Sequence, residues 1–140
     1  MMENILIKEL SKEKRMDQLK RAQLEHECNT LRRSLLFLKE ENIVLKNRLS
    51  EILKDSFDKN LLEQAELFHN DFIRKDARIH LLRNDLAGLY NLLAKIINNE
   101  KDTSLEIDAR LGELRNNTNI AENQFIKMQS DFNKYFYDKM

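Results

Sequence analysis

A seven-residue repeat of leucines constrains the fold of this chain more than any other feature. Leu24, Leu31, Leu38 and Leu45 recur at this spacing, and Ile52 is next in phase. A second set with the same spacing, interleaved with the first, consists of Cys28, Leu35, Asn42 and Leu49. We call the two sets together the leucine seam: Leu24, Cys28, Leu31, Leu35, Leu38, Asn42, Leu45, Leu49 and Ile52. Such a seam is stable when a facing helix covers it. The chain therefore needs a covering helix, either its own or that of another chain.

The composition favours an all-α fold. The 140 residues include no proline and only two glycines, so almost nothing in the chain interrupts a helix. The apolar runs are far shorter than the roughly 20 residues that a membrane-spanning helix requires. The single cysteine cannot form a disulfide within the chain. No oxidising compartment is implied, and we expect a cytoplasmic location.

Polar breaks divide the pattern into three helices. We predict a long first helix over residues 1–54, with the seam at about 24–52, a possible hinge at 55–60, a second helix at 61–97, a turn at 98–103 and a third helix at 104–139. Two capping boxes, Asn60 with Glu63 and Thr103 with Glu106, mark the predicted starts of the second and third helices. Because their connection is short, these two helices should form an antiparallel hairpin.

We predict that the leucine seam lies beyond the reach of the third helix and needs another cover. At about 1.5 Å per residue, the third helix extends back only to the start of the second. If the chain continues through residues 55–60, two copies would pair in parallel through the seam. Glu27 would face Arg32 of the second copy, Glu41 would face Lys46, and Asn42 would meet its own counterpart. The favoured fold is therefore a homodimeric long-helix coiled coil with an antiparallel helical hairpin.

The alternative fold is a three-helix antiparallel bundle in which the chain turns back at residues 55–60. A second apolar stripe on the first helix favours this bundle: Leu36, Phe37, Ile43 and Val44. They fall on the side that a two-stranded coil leaves in solvent, where such clusters usually mark an interaction site. We therefore take these four residues as the candidate docking site for a protein partner.

The segment from Leu31 to Leu49 resembles the dimerisation half of basic leucine-zipper transcription factors over about residues 24–52. The resemblance implies a continuous basic helix just upstream that reads DNA. In this chain the upstream lysines and arginines are interleaved with acidic residues, and the family's basic-region motif is missing. The formal net charge is zero, with 24 basic and 24 acidic side chains, which argues against a dedicated nucleic-acid binder.

Candidate chemical sites are few. Glu66 and His69 form an ExxH pair of the kind used by di-iron helical bundles, but those proteins need a second such pair, and the sequence has none. We interpret the pair as an exposed surface feature. Cys28 lies on the seam, where a buried small apolar role is the ordinary one. Glycine-rich phosphate loops and serine–histidine–acid patterns are absent from the sequence. We predict no enzyme activity, no cofactor and no metal.

Aromatic residues crowd the end of the third helix: Phe125, Phe132, Tyr135, Phe136 and Tyr137. We predict that they pack against the start of the second helix. The alternative is a protruding anchor for a partner, because aromatic side chains dominate interface hot spots.

The functional expectation is a non-enzymatic structural or adaptor protein that homodimerises and presents apolar stripes to a protein partner. A compact monomeric bundle that binds a partner helix or an apolar ligand is the first alternative. A zipper-type regulator associated with nucleic acid is a weaker one. No membrane association is expected.

Overall fold

The described part of the chain forms three α-helices, which are α1 (Met2–Leu53), α2 (Lys59–Ile97) and α3 (Ser104–Phe136). The computed structural model describes the backbone of residues 2–56, 58–97 and 104–137. Side chains are described over the same ranges from residue 18 onward, residues 96 and 97 excepted. The prediction of an all-α fold is confirmed, and the helices pack against one another as a three-helix arrangement.

The chain turns back after α1, so that α1 and α2 run antiparallel. Asn29 of α1 is bonded to Tyr90 near the end of α2, whereas Asn42 is bonded to Asp76 closer to its start. The connection is a short turn in which the Lys54 amide donates to the Glu51 carbonyl at 3.3 Å. This is the folded arrangement that the sequence left as the alternative.

Helix α3 lies parallel to α1, in a register that three polar pairs fix. Lys20 pairs with Asp108 at 3.1 Å, Glu27 with Arg115 at 3.2 Å, and Glu41 accepts from Gln129 at 3.3 Å. Each pair joins residues 88 positions apart. The expectation that the third helix could not reach the leucine seam is wrong. It assumed a straight first helix, whereas the turn brings α1 back alongside α3.

The start of α2 is capped by Asp58 instead of the predicted Asn60. The Asp58 carboxylate accepts the Asn60 amide at 2.9 Å, and the Asp58 carbonyl accepts the Leu62 amide at 3.0 Å. A carboxylate at this position satisfies a free amide and interacts favourably with the helix dipole. The helix therefore begins at Lys59, slightly before the predicted start. The second predicted cap, Thr103, lies outside the described residues.

The core consists of two apolar clusters that share all three helices. The cluster far from the α1–α2 turn contains Leu24, Cys28, Leu31, Leu35, Leu82, Leu86, Leu89, Leu93, Ile107, Leu111, Leu114 and Ala121. The cluster near the turn contains Leu38, Leu45, Leu49, Leu61, Ala65, Phe72, Ile79, Phe125, Met128, Phe132 and Phe136. Each helix contributes to both clusters, so the apolar surface of α1 is covered from two sides.

The aromatic end of α3 packs into the core near the turn, as predicted. The Phe132 ring is centred 5.4 Å from Phe68, 5.7 Å from Phe72 and 4.8 Å from Phe136. Tilted and edge-on ring pairs at such distances are favourable beyond their buried area. Tyr137, at the end of the described chain, is exposed. Tyr135 is 37% exposed, while its ring contacts Phe68 and Phe136. The buried phenylalanines thus anchor α3 to α2, and the two tyrosines lie at the border of the cluster.

Candidate partner-docking surface

The leucine seam forms the inner face of α1. Its members are buried against α2 and α3 of the same chain, except for Ile52, which is partly buried against the cluster near the turn. Of the four residues predicted to pair between copies, Glu27, Glu41 and Lys46 find partners within the chain, which are Arg115, Gln129 and Asp76. Pairing of two copies through this seam would require α1 to leave the other two helices. The homodimer stays a prediction.

Asn42 is the one polar residue of the seam. The sequence predicted that it would bond to Asn42 of a second copy, but its side chain bonds to α2 of the same chain instead. Its amide nitrogen donates to the Phe72 carbonyl at 3.0 Å and to the Asp76 carboxylate at 2.7 Å. Lys46 also pairs with this carboxylate. The Asn42 side-chain oxygen is buried and accepts no hydrogen bond from the described residues. These bonds fix the register of α1 against α2, the role that a buried asparagine has in coiled coils.

The outer side of α1 carries the predicted docking candidates, and all four are exposed. The exposed fractions are 45% for Leu36, 57% for Phe37, 43% for Ile43 and 39% for Val44. We call these four residues the outer stripe. Folding the chain into a bundle covers the seam but not the stripe, so the expectation that the bundle would cover these four residues is wrong. Large apolar residues grouped in this way on a surface are typical of interaction sites.

The outer stripe has two halves that face different neighbours. Leu36 and Ile43 follow Asn29 by one and two heptads, and Asn29 is bonded to α2. They therefore lie on the side of α1 towards α2. Phe37 and Val44 are within one turn of Glu41, which is bonded to α3. They lie on the side towards α3.

The side of the bundle formed by α1 and α2, which we call the α1–α2 face, continues into an open groove near the turn. The groove has a volume of about 430 Å³, and its lining includes Leu49 and Leu53 of α1 with Leu62 and Phe72 of α2. Glu66 and His69, the ExxH pair, also line it, and both are exposed. A second, polar groove of about 400 Å³ lies between α2 and α3 beside Gly88.

Four further residues of this face did not stand out in the sequence. Ile73 and Leu62 are exposed on α2, and Arg32 and Arg83 are exposed on the two helices. The sequence spacing of each of these residues from Asp76 or Lys46 places it on this face. That spacing could have identified them only if the register between α1 and α2 had been known.

Among the described residues, the buried Cys28 and the partly buried Tyr90 have raised side-chain pKa values. Burial raises the pKa of the Cys28 thiol, and the nearby Glu27 and Glu25 carboxylates raise it further. A thiol held in its protonated form is a poor nucleophile and a poor metal ligand. Burial likewise raises the pKa of Tyr90, against an opposing effect of Arg32. Cys28 therefore occupies the core as the small apolar residue that the sequence predicted.

In the described part of the chain, the His, Cys, Asp and Glu side chains form no group of three or more placed to hold a metal ion. Among the described helices, none combines the length and apolar character that crossing a bilayer demands.

The chain was compared with protein families, curated proteins and solved structures. No family, no curated protein and no solved structure matches it.

Proposed function

We propose that this chain is a non-enzymatic helical adaptor that binds a protein partner through the outer stripe of α1. The observation that carries the proposal is the exposure of Leu36, Phe37, Ile43 and Val44 on a helix whose inner face is already covered. The stripe belongs to neither core cluster, so its apolar character does not serve the packing of the bundle. An apolar surface of this kind is suited to binding a partner.

The free energy available from burying the outer stripe is compatible with a docking role. Fully burying a large apolar side chain contributes about 1.5–3 kcal/mol, so completing the burial of four half-exposed ones would contribute several kcal/mol to binding. Association itself costs at least about 4 kcal/mol in lost freedom of motion. The stripe alone would thus give weak binding, and a stable complex needs neighbouring contacts as well.

The homodimer belongs to this proposal only as a lesser part. A second copy could cover the stripe of the first, but three of the four charged residues that favoured a parallel dimer, Glu27, Glu41 and Lys46, are engaged within one chain. A cytoplasmic location remains part of the proposal, since the one cysteine is unpaired and buried.

Site-specific photo-crosslinking tests the proposal. A photoreactive phenylalanine analogue replaces each of the four stripe residues in turn, and Lys127, exposed on α3, in a matched control. All five versions of the full chain are irradiated in the cells that naturally make the protein. We expect a discrete adduct from at least one half of the stripe, either Leu36 and Ile43 or Phe37 and Val44, and none from position 127. Mass spectrometry of the adduct identifies the partner. Labelling from position 127 equal to that from the stripe, or no adduct from any of the four stripe positions, would contradict the proposal.

The groove near the turn favours a second candidate function, the binding of an apolar ligand. Leu49, Leu53, Leu62 and Phe72 give it an apolar floor, as small-molecule sites commonly have. A fluorescent apolar probe such as anilinonaphthalene sulfonate would test it. Saturable binding that Leu62→Asp abolishes and Ile126→Asp leaves intact is the expected result. Equal binding to the two variants would contradict it.

A further inference from the structure

We propose that the α1–α2 face binds an acidic amphipathic helix of the partner protein, which becomes a fourth helix of the bundle. The inference rests on the proposed function and narrows it. It names the chemistry of the partner and restricts the contact to the half of the outer stripe that faces α2.

The register of the two helices places basic side chains along this face. Arg32 and Lys39 precede Lys46 by two and one heptads, and Lys46 pairs with Asp76 of α2. Arg83 follows Asp76 by one heptad and precedes Tyr90 by one, and both of these residues bond to α1. Arg32, Lys39 and Arg83 therefore line the same face as Leu36 and Ile43.

These cations are not neutralised by the chain itself. Arg32, Lys39 and Arg83 are exposed, and within the described ranges none of them has a carboxylate partner. The chain as a whole has no net charge. On the α1–α2 face the three exposed cations outnumber the exposed carboxylate of Glu66 in the groove near the turn. The face therefore favours an acidic occupant by charge complementarity.

Apolar residues lie among the cations. Leu36 and Ile43 on α1 and Ile73 on α2 are each about half exposed. Phosphates of a nucleic acid would neutralise the cations but leave these three side chains uncovered, whereas an amphipathic helix would bury them and pair with the cations at once. This combination is why we favour a helix over a nucleic acid.

The dimensions of the face also suit a helix. From Leu36 to Leu53, in the groove near the turn, α1 extends about 26 Å at 1.5 Å per residue. A partner helix of about 17 residues would span this length, with apolar residues every three or four positions. Grooves between packed helices accept a further helix by ridges-into-grooves packing.

A peptide selection tests the inference and does not require the natural partner to be identified. A displayed library of helical peptides of about 20 residues, which span about 30 Å, is selected against the full-length chain with all positions of the peptide surface randomised. We expect the enriched peptides to be acidic and to carry apolar residues at i, i+3 or i+4, and i+7. Their affinities are then measured by fluorescence anisotropy against folded variants, with circular dichroism as the check of folding.

We expect losses of peptide affinity from substitutions in both the apolar and the basic residues of the α1–α2 face. Leu36→Ser or Ile43→Ser should weaken binding about tenfold, the usual effect of truncating an interface anchor. Arg32→Glu, Lys39→Glu or Arg83→Glu should each weaken it at least as much. The controls, Ile126→Ser and Lys127→Glu at exposed positions of α3, should leave the affinity within about twofold. Phe37→Ser, on the other half of the stripe, should weaken binding less than Leu36→Ser does.

Several results would overturn the inference. These are the absence of enriched peptides, enrichment without acidic character, or binding that depends on Phe37 and not on Leu36 or Ile43. The last result would leave the proposed function standing, because the outer stripe would still bind a protein. Retention of duplex DNA by the same chain, lost with Arg32→Glu but not with Leu36→Ser, would assign the face to nucleic acid instead.

Discussion

The bond between Asn42 and Asp76 gives a sharp test of how α1 packs on α2. In the bundle the Asn42 amide donates to the Asp76 carboxylate at 2.7 Å. In a parallel dimer of straight helices Asn42 would meet its own counterpart, and Asp76 would be remote from it. A double-mutant cycle with Asn42→Ala, Asp76→Ala and the combined variant isolates the interaction.

The expected magnitude follows from the surroundings of the pair. A hydrogen bond to a charged group contributes about 1.5–3 kcal/mol net. The Asp76 side chain is 40% exposed, which reduces the electrostatic part, so we expect a coupling of about 1–1.5 kcal/mol. Asn42→Ala alone should lower the free energy of unfolding by about 2–4 kcal/mol, because it also loses the bond to the Phe72 carbonyl and leaves a cavity.

Urea unfolding followed by circular dichroism at the helical minimum measures each free energy. The matched control is Asp71, a partly exposed acidic residue five positions earlier in α2 that pairs with Arg74. The cycle of Asn42→Ala with Asp71→Ala should give a coupling near zero. A coupling between Asn42 and Asp76 below about 0.3 kcal/mol, the limit of ordinary additivity, would refute the packing argument.

Three further outcomes are expected. Phe132→Ala should destabilise the chain by about 3–5 kcal/mol in urea unfolding, whereas Tyr137→Ala at the exposed end of the cluster should change stability by less than about 0.5 kcal/mol; equal effects would show that the aromatic cluster is not packed. Burial raises the pKa of the Cys28 thiol above its ordinary 9.0, so the thiol loses its proton at lower pH in the unfolded chain than in the folded one. The free energy of unfolding should therefore be constant well below pH 9 and fall as the pH rises above 9. Cys28→Ala should make that fall shallower, and an unchanged slope would argue against a buried thiol. Leu36→Ser should leave the free energy of unfolding within about 0.5 kcal/mol of the parent value, and a larger loss would mean that the outer stripe belongs to the core.

The helical class and the inner face of α1 were predictable because they depend on local pattern. A seven-residue repeat fixes which side of a helix is apolar, whatever helix covers it. The burial of Leu24, Cys28 and Leu35, and the packing of Phe132 against α2, follow from such patterns. The outer stripe was predictable for the same reason, since it lies opposite the seam.

The identity of the covering helix was not predictable in the same way. A heptad seam has the same spacing in a dimer and in a bundle, and Asn42 could bond equally to a second Asn42 or to an acidic residue on a neighbouring helix. The choice depends on whether the chain turns at residues 55–60. The sequence there is polar enough for a turn but contains no proline or glycine that would require one. The basic residues of the α1–α2 face depend on that turn as well, because Arg83 approaches Leu36 only after the chain folds back.

The most direct test of the account is the distance between α1 and α2 in solution. Spin labels at the exposed residues Glu40 and Ala77, in a Cys28→Ala background and diluted with unlabelled protein, report one distance within each chain by double electron–electron resonance. Packed helix axes are about 8–10 Å apart, so the bundle predicts a distance well below about 35 Å once the label arms are included. A first helix that continues straight into the second would place the labels about 55 Å apart at 1.5 Å per residue. The short distance would support a chain that covers its own leucine seam, and the long one would contradict it.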